Sequence, residues 1–231
     1  MDAFQTFHKF FITYGGYKVI LNGLWATVQI AVFGLLIGLI IGTCIAMVKV
    51  LPGRGRLTRF FQGVCSVYVG FFRGTPVVVQ LLLFYYALPS MTGMAVPKVL
   101  CAIITFGLNS GAYVSEIMRS GILSVDKGQM EAGRSLGLGY WSTMLSIVLP
   151  QAVKNILPTL GNEFITLIKE TSVVSFIAII DLTKAFQDMA NSSYEYIVTY
   201  LVLALVYLVL VYLISLVIRL TERRLRKSDN R

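Results

Sequence analysis

Seven polar or charged residues interrupt apolar stretches of this sequence and could contact a polar ligand. Glu163 is the clearest of them, because a carboxylate among apolar residues is costly and commonly functional. It could meet a ligand's ammonium group, or it could form a structural pair with a nearby lysine. Arg73 is either an interfacial anchor or a functional charge. The candidate contacts are Arg73, Gln80, Asn109, Tyr113, Asn162, Glu163 and Thr166.

The groups needed for catalysis or metal binding are not found in recognisable patterns. Residues 128–135 nearly match a phosphate-binding loop, but Arg134 stands where a lysine is required and no strand is expected before it. The single histidine, His8, and three cysteines without paired spacing favour neither a zinc site nor a disulfide framework. We therefore expect no enzyme activity, no bound metal and no cofactor in this chain.

A polar segment at residues 121–149 carries residues at fixed intervals between two apolar stretches. Asp126 and Glu131 favour a helix start near residues 125–130, and Gly137 and Gly139 are predicted to end that helix with a positive φ. The segment should therefore form two short helices on the membrane surface. Its spaced residues are Glu131, Ala132, Gly133, Gly137, Ile147, Leu149 and Pro150.

This spacing resembles the cytoplasmic signature of the permease subunits of ATP-binding-cassette (ABC) importers, Glu-Ala-Ala-x3-Gly-x9-Ile-x-Leu-Pro. Only Gly133 departs from it, one small residue for another. The stretches 71–76 and 112–121 are similar to the polar amino-acid uptake group of these type I importers. The resemblance implies a permease whose segment 121–149 meets a cytoplasmic ATPase at Glu131 and Ala132, with Gly137, Leu149 and Pro150 fixing the segment's shape.

The same resemblance implies several partners. Two permease subunits, identical or similar, form the pathway; an ATPase dimer holds ATP and magnesium; and an external or periplasmic binding protein delivers the amino acid. Glutamine, a basic amino acid and cystine all remain open as substrates. An ATP-independent secondary transporter is the alternative, and it would show inverted repeats or paired broken helices.

The composition is that of an all-α integral membrane protein in a prokaryotic cell membrane. Of the 231 residues 56% are hydrophobic, and the mean hydropathy is +0.76. We expect a single permease domain, 1–231, with no removable signal peptide, an interfacial segment at 1–19 and five spans. A break at Arg73-Gly74-Thr75-Pro76 should precede the second span, and Pro158 and Gly161 should interrupt the fourth. The expected spans are residues 20–48, 76–88, 99–118, 151–180 and 197–218.

The basic residues favour one orientation. On one side lie Lys49, Arg54, Arg56, Arg59, Arg119, Lys127, Arg134 and the tail from Arg219 to Lys227. The other side has only Lys9, Lys18, Lys98 and Lys184. The positive-inside rule therefore predicts a cytoplasmic C-terminus and an N-terminus outside. Glu116 and Arg119, one helical turn apart, should pair near the inner surface.

Overall fold

A computed structural model describes residues 3–13, 15–51, 55–93 and 96–227, and no strand occurs among them. Parts of three predicted features lie outside these residues: positions 1, 2 and 14 of the interfacial segment, Arg54 of the basic loop, and the tail after Lys227. The side chains at 224–227 are likewise outside the description.

The described chain folds into eleven α-helices. A π-helical turn, Lys9–Thr13, extends the first, and a 3-10 turn, Thr171–Ile177, follows the ninth. The helices are α1 (Ala3–His8), α2 (Gly16–Val50), α3 (Arg56–Gly74), α4 (Val77–Leu82), α5 (Leu88–Thr92), α6 (Lys98–Leu123), α7 (Lys127–Ser135), α8 (Tyr140–Thr143), α9 (Leu149–Glu170), α10 (Leu182–Ser193) and α11 (Tyr196–Lys227).

Small residues spaced four apart let α2 and α6 pack closely. Gly34, Gly38, Gly42 and Ala46 are all buried on one face of α2. A Cβ added at Gly38 would lie 2.8 Å from the Cβ of Ser110 in α6. Such close backbone approach is how helices associate where lipid, not water, surrounds them. This contact holds together the first and third of the predicted spans.

Replacing Gly42 with alanine tests this packing. The new Cβ would meet Val114 Cγ1 at 2.6 Å and the backbone nitrogen of Ser115 at 2.9 Å, so the helices must separate. We expect a loss of about 1–3 kcal/mol in the free energy of unfolding, measured by thermal melting in lipid nanodiscs. Gly63→Ala in α3 is the matched control, because a Cβ there has no neighbour within 4 Å. Equal melting temperatures for the two variants would contradict the packing argument.

Three helices of the described chain are long and apolar enough to cross a membrane: Gly16–Val50, Lys98–Leu123 and Tyr196–Arg223. The pair Arg56–Gly74 and Val77–Thr92 passes the same test as one broken span, bent by 106°. The predicted break before Pro76 is therefore present. The number of spans, five, stays a prediction, because α9 carries more charge than an ordinary span.

The predicted interruption of the fourth span at Pro158 and Gly161 is wrong. α9 continues through both residues and ends at Glu170, where a 3-10 turn begins. Neighbouring helices stabilise a proline inside a membrane helix, and here α11 packs closely beside it. A Cβ at Gly161 would lie 2.8 Å from Ile218 of α11, so Gly161 serves helix contact and does not end the helix.

Candidate functional site

The segment between α6 and α9 begins with a capped helix. The Asp126 side chain accepts a hydrogen bond from the backbone N–H of Gly128 at 2.6 Å, so it is the N-cap of α7. α7 ends at Ser135 with two closing bonds, Gly137 N–H to Arg134 O at 3.0 Å and Leu138 N–H to Gly133 O at 3.1 Å. This pattern needs a left-handed residue after the helix, and Gly137 has a φ of 85°.

Gly139 has a different role from the predicted one. Its φ is −66° and its ψ is 160°, so it is extended and precedes α8 as the N-cap residue. One glycine is sufficient to reverse the chain after α7, because the two closing bonds already involve Gly137 and Leu138. The prediction of a positive φ is therefore confirmed for Gly137 and wrong for Gly139.

Gly133 lets α7 and α8 touch. A Cβ at this position would lie 2.5 Å from Thr143 Cγ2 and 2.9 Å from Thr143 Oγ1. Thr143 is fully buried, and its hydroxyl donates to the carbonyl of Gly139 at 3.0 Å. The methyl group of Thr143 thus occupies the space that the alanine of the signature would fill. Sequence reasoning missed Thr143, because no spacing rule relates the two positions.

The spaced residues divide into exposed and packed groups. Glu131, Ala132 and Pro150 are exposed, whereas Ile147 and Leu149 are half-buried. Leu136, at the turn between α7 and α8, is 82% exposed. Such an exposed leucine beside exposed Glu131 and Ala132 gives the segment a small apolar surface with a polar rim. Leu136 was not predicted from the sequence. Its position directly before Gly137, the predicted turn residue, could have indicated that it is exposed.

Side chains attach this segment to the long helices. Gln151 of α9 donates to Gln129 Oε1 of α7 at 3.2 Å, and Asn155 of α9 donates to Ser124 Oγ at 2.9 Å. Tyr140 of α8 donates to the carbonyl of Val50, at the end of α2, at 3.5 Å. Burial raises the pKa of the Tyr140 hydroxyl. Through these hydrogen bonds a displacement of the segment would be transmitted to both α9 and α2.

A three-residue ion network lies where α6 leads towards the segment. Glu116 Oε2 accepts from Arg119 at 2.9 Å, which confirms the predicted pair. Its other oxygen accepts from Lys49 Nζ of α2 at 2.7 Å. Lys49 was missed as a partner, since the contact spans 67 positions of sequence. The network joins the end of α2 to the end of α6.

Gln80 and Asn109 lie together inside the bend between α3 and α4. Gln80 is fully buried and donates to the carbonyls of Phe72 and Thr75 at 2.9 and 3.0 Å. Asn109 of α6 donates to Gln80 Oε1 at 2.9 Å and to the carbonyl of Phe72 at 3.2 Å. These bonds satisfy backbone groups that the break exposes. In this structure the two amides hold the bend, and any contact with a ligand remains a prediction.

The other candidate contacts fall in separate places. The guanidinium of Arg73 lies 5.3 Å from the ring centroid of Tyr113, a cation–π distance. Glu163 accepts from the hydroxyl of Ser110 in α6 at 3.2 Å. Asn162 lines a small polar cavity of about 180 Å³ with Arg219 and Glu222 of α11. Thr166 is exposed and donates to the Asn162 carbonyl at 3.1 Å. The seven residues thus form two pairs, Arg73 with Tyr113 and Gln80 with Asn109, and a group of three at neighbouring positions of α9.

Among the described residues no group of histidine, cysteine or acidic side chains could hold a metal ion. The long apolar helices, the bent pair and the two-helix segment with its signature define a membrane transport permease. Residues 34–227 match the model of the binding-protein-dependent transport system inner membrane component, and the chain belongs to that family.

Individual relatives of this chain are also named as transport permeases. The putative glutamine transport system permease protein of Rickettsia bellii is 41% identical over 89% of this chain and 92% of its own length. The arginine transport system permease protein of Bacillus subtilis is 38% identical, covering 91% and 94%. The crystal structure of an amino acid ABC transporter with histidines superposes with a TM-score of 0.85 at 38% identity, over 93% of this chain and 98% of that one.

A more distant structure supports the fold alone. An inward-facing form of the MetNI methionine ABC transporter has a TM-score of 0.75 at 18% identity, over 90% of this chain and 97% of that one. Similar arrangement of the helices at such low identity indicates that the fold tolerates wide change in sequence.

Proposed function

We propose that this chain is one membrane-spanning subunit of an ATP-driven importer of polar amino acids. The observation that carries the proposal is the signature at residues 131–150, folded into two short helices with Glu131, Ala132 and Leu136 exposed. The relatives named for glutamine and arginine transport support a polar amino acid as the substrate. Which amino acid is carried depends on the partners as well as on this chain.

The segment from α7 to α8 is the docking site of a cytoplasmic ATPase dimer. Its small apolar surface around Leu136 suits a groove on a partner, and Glu131 and Ala132 lie beside it. ATP and magnesium bind the ATPase, and this chain supplies neither a phosphate loop nor catalytic groups. A second permease subunit, identical or similar, completes the pathway, and an external binding protein delivers the substrate.

The orientation follows from the positions of the described cations. Lys49, Arg56, Arg59, Arg119 and Arg134 lie at the ends of α2, α3 and α6 and in the segment proposed to bind the ATPase, which supports the predicted orientation. The positive-inside rule places that side in the cytoplasm of a prokaryotic cell, with the N-terminus outside. Closing of the ATPase dimer on ATP then moves the segment, and the hydrogen bonds of Gln151 and Asn155 transmit the movement to α9.

Replacing Gly137 with valine tests the docking segment. A β-branched residue at a φ of 85° is strongly strained, so the turn between α7 and α8 should rearrange. We expect about fivefold less ATPase to copurify with the chain in mild detergent, which corresponds to about 1 kcal/mol of lost binding energy. Mass spectrometry identifies the ATPase and measures its amount relative to this chain.

The neighbouring glycine gives the control. Gly139 has an extended backbone and open space around its Cα, so Gly139→Ala should recover the ATPase as the natural chain does. If no ATPase copurifies with the natural chain while uptake persists in vesicles without ATP, the ATP-independent secondary transporter becomes the correct account. If both glycine variants keep the ATPase, the docking site lies elsewhere.

A further inference from the structure

One face of α9 is polar along its whole length. Successive polar residues stand three or four positions apart, the spacing that places them on one side of a helix, and every one of them is exposed. Two of them, Asn162 and Thr166, were candidates from the sequence, and the other four were not. The polar face of α9 consists of Gln151, Asn155, Thr159, Asn162, Thr166 and Lys169.

The opposite face of α9 is apolar. Val153 and Leu157 are each 38% exposed, and they line an apolar groove of about 300 Å³ between α9, α2 and α8. Met47 and Trp141 form part of the far wall. α9 therefore carries polar and apolar side chains on opposite faces at the same depths along its axis.

The hydroxyls of Thr159 and Thr166 donate to carbonyls of their own helix and need no further partner. The amides of Gln151, Asn155 and Asn162 have further donors and acceptors, which lipid cannot hydrogen-bond, so facing hydrocarbon would cost solvation free energy. The polar face therefore needs water or another protein surface. Glu163 lies at the edge of the polar face and accepts a hydrogen bond from Ser110. At the N-terminal end of α9, Gln151 and Asn155 hydrogen-bond to the segment between α6 and α9. The polar face thus runs from the predicted ligand carboxylate to the segment proposed to bind the ATPase.

We propose that the inner half of the polar face, Thr159, Asn155 and Gln151, lines an aqueous exit route for a small zwitterionic solute. This inference rests on the proposed function as an importer permease. Uncharged amides and hydroxyls can hydrogen-bond a passing carboxylate or ammonium without holding it, which suits a route and not a storage site. Lys169 on the polar face and Glu163 at its edge are charged residues of α9 that precede this stretch.

Cysteine labelling tests the route. The native cysteines, Cys44, Cys65 and Cys101, are first replaced by alanine. Thr159→Cys is then compared with Leu157→Cys, and Asn155→Cys with Val153→Cys, in full chains made together with their partner subunits. The probe is a charged, membrane-impermeant methanethiosulfonate added to inside-out membrane vesicles. We expect labelling about tenfold faster at the polar-face positions, because only a cysteine in contact with water ionises to the reactive thiolate.

The controls keep the result interpretable. Threonine and cysteine are close in size, so Thr159→Cys should fold even where Asn155→Cys does not. Equal labelling rates at positions 159 and 157 would overturn the exit route. Uptake in right-side-out vesicles that carry the same variants, with and without ATP inside, separates the two proposals. Faster labelling of the polar face together with ATP-independent uptake would support the aqueous route and refute the ATP-driven importer. Equal labelling of both faces together with ATP-dependent uptake would refute the aqueous route and support the importer.

Discussion

Replacing Glu163 with glutamine is expected to reduce uptake at low substrate concentration by at least about tenfold. A hydrogen bond to a charged group contributes about 1.5–3 kcal/mol, and tenfold corresponds to about 1.4 kcal/mol. Glu163 is half-buried in α9 and accepts from Ser110, which leaves acceptor positions on the carboxylate for a substrate ammonium. Lys169 stands at neither the i+3 nor the i+4 position of Glu163 in the continuous helix, which weakens the alternative of a local structural pair.

The measurement is the concentration dependence of uptake in vesicles or proteoliposomes that contain the complete transporter. Ser110→Ala is the matched control, because it removes the hydrogen bond to Glu163 and keeps the charge. We expect a smaller change for it than for Glu163→Gln. Copurification of the ATPase should be the same for both variants, since neither residue belongs to α7 or α8. Unchanged uptake and unchanged concentration dependence for Glu163→Gln would exclude a role in substrate binding.

Local chemistry made parts of this structure predictable. Only glycine adopts the φ found at Gly137 at little cost, so the fixed spacing around it predicted a turn there. Pro76 disfavours helix at the residue before it, and the bend between α3 and α4 follows. Small residues at intervals of four have few other uses in a membrane helix, so the close packing of α2 can be predicted from its sequence.

Contacts between distant residues could not be predicted in the same way. Ser110 and Glu163 are 53 positions apart, and Lys49 and Glu116 are 67 apart. Each pair meets only because α6 packs against α9 and α2, and a single sequence does not specify these arrangements. Asn162 and Glu163 are adjacent, yet one lies beside α11 and the other beside α6. A pattern of polar residues can therefore indicate that a helix is functional, but it does not indicate which neighbouring helix each side chain contacts.

The error at Pro158 has a physical cause. Proline removes one backbone donor and usually interrupts a helix in water, where a broken turn is readily solvated. Inside a bilayer a broken helix exposes backbone groups that lipid cannot satisfy, so continuing through the proline costs less. The bend at Pro76 shows the other outcome, because Gln80 and Asn109 are present to hydrogen-bond the exposed carbonyls. At Pro76 side-chain donors replace the backbone bonds lost at the break, whereas at Pro158 the helix continues without a break.

The second large effect is expected at Glu116, whose replacement by glutamine would leave Lys49 and Arg119 without their shared carboxylate. The two cations are held at 2.7 and 2.9 Å from Glu116 and are only partly exposed. Breaking a buried ion pair on one side is strongly destabilising, and partial exposure reduces that cost. We expect a loss of about 2 kcal/mol in the free energy of unfolding, measured by thermal melting in lipid nanodiscs.

Two further variants show whether the loss comes from the network. Asp188→Asn breaks a more exposed pair with Lys184, also 2.7 Å long, and should cost at most about 0.5 kcal/mol. Combining Lys49→Met with Glu116→Gln removes a cation together with the carboxylate, so the double variant should be more stable than Glu116→Gln alone. Since the network joins α2 to the end of α6 that leads into the docking segment, Glu116→Gln should also raise the ATP hydrolysed per solute transported. Equal melting temperatures for Glu116→Gln and Asp188→Asn would mean that the network contributes no more than a surface pair.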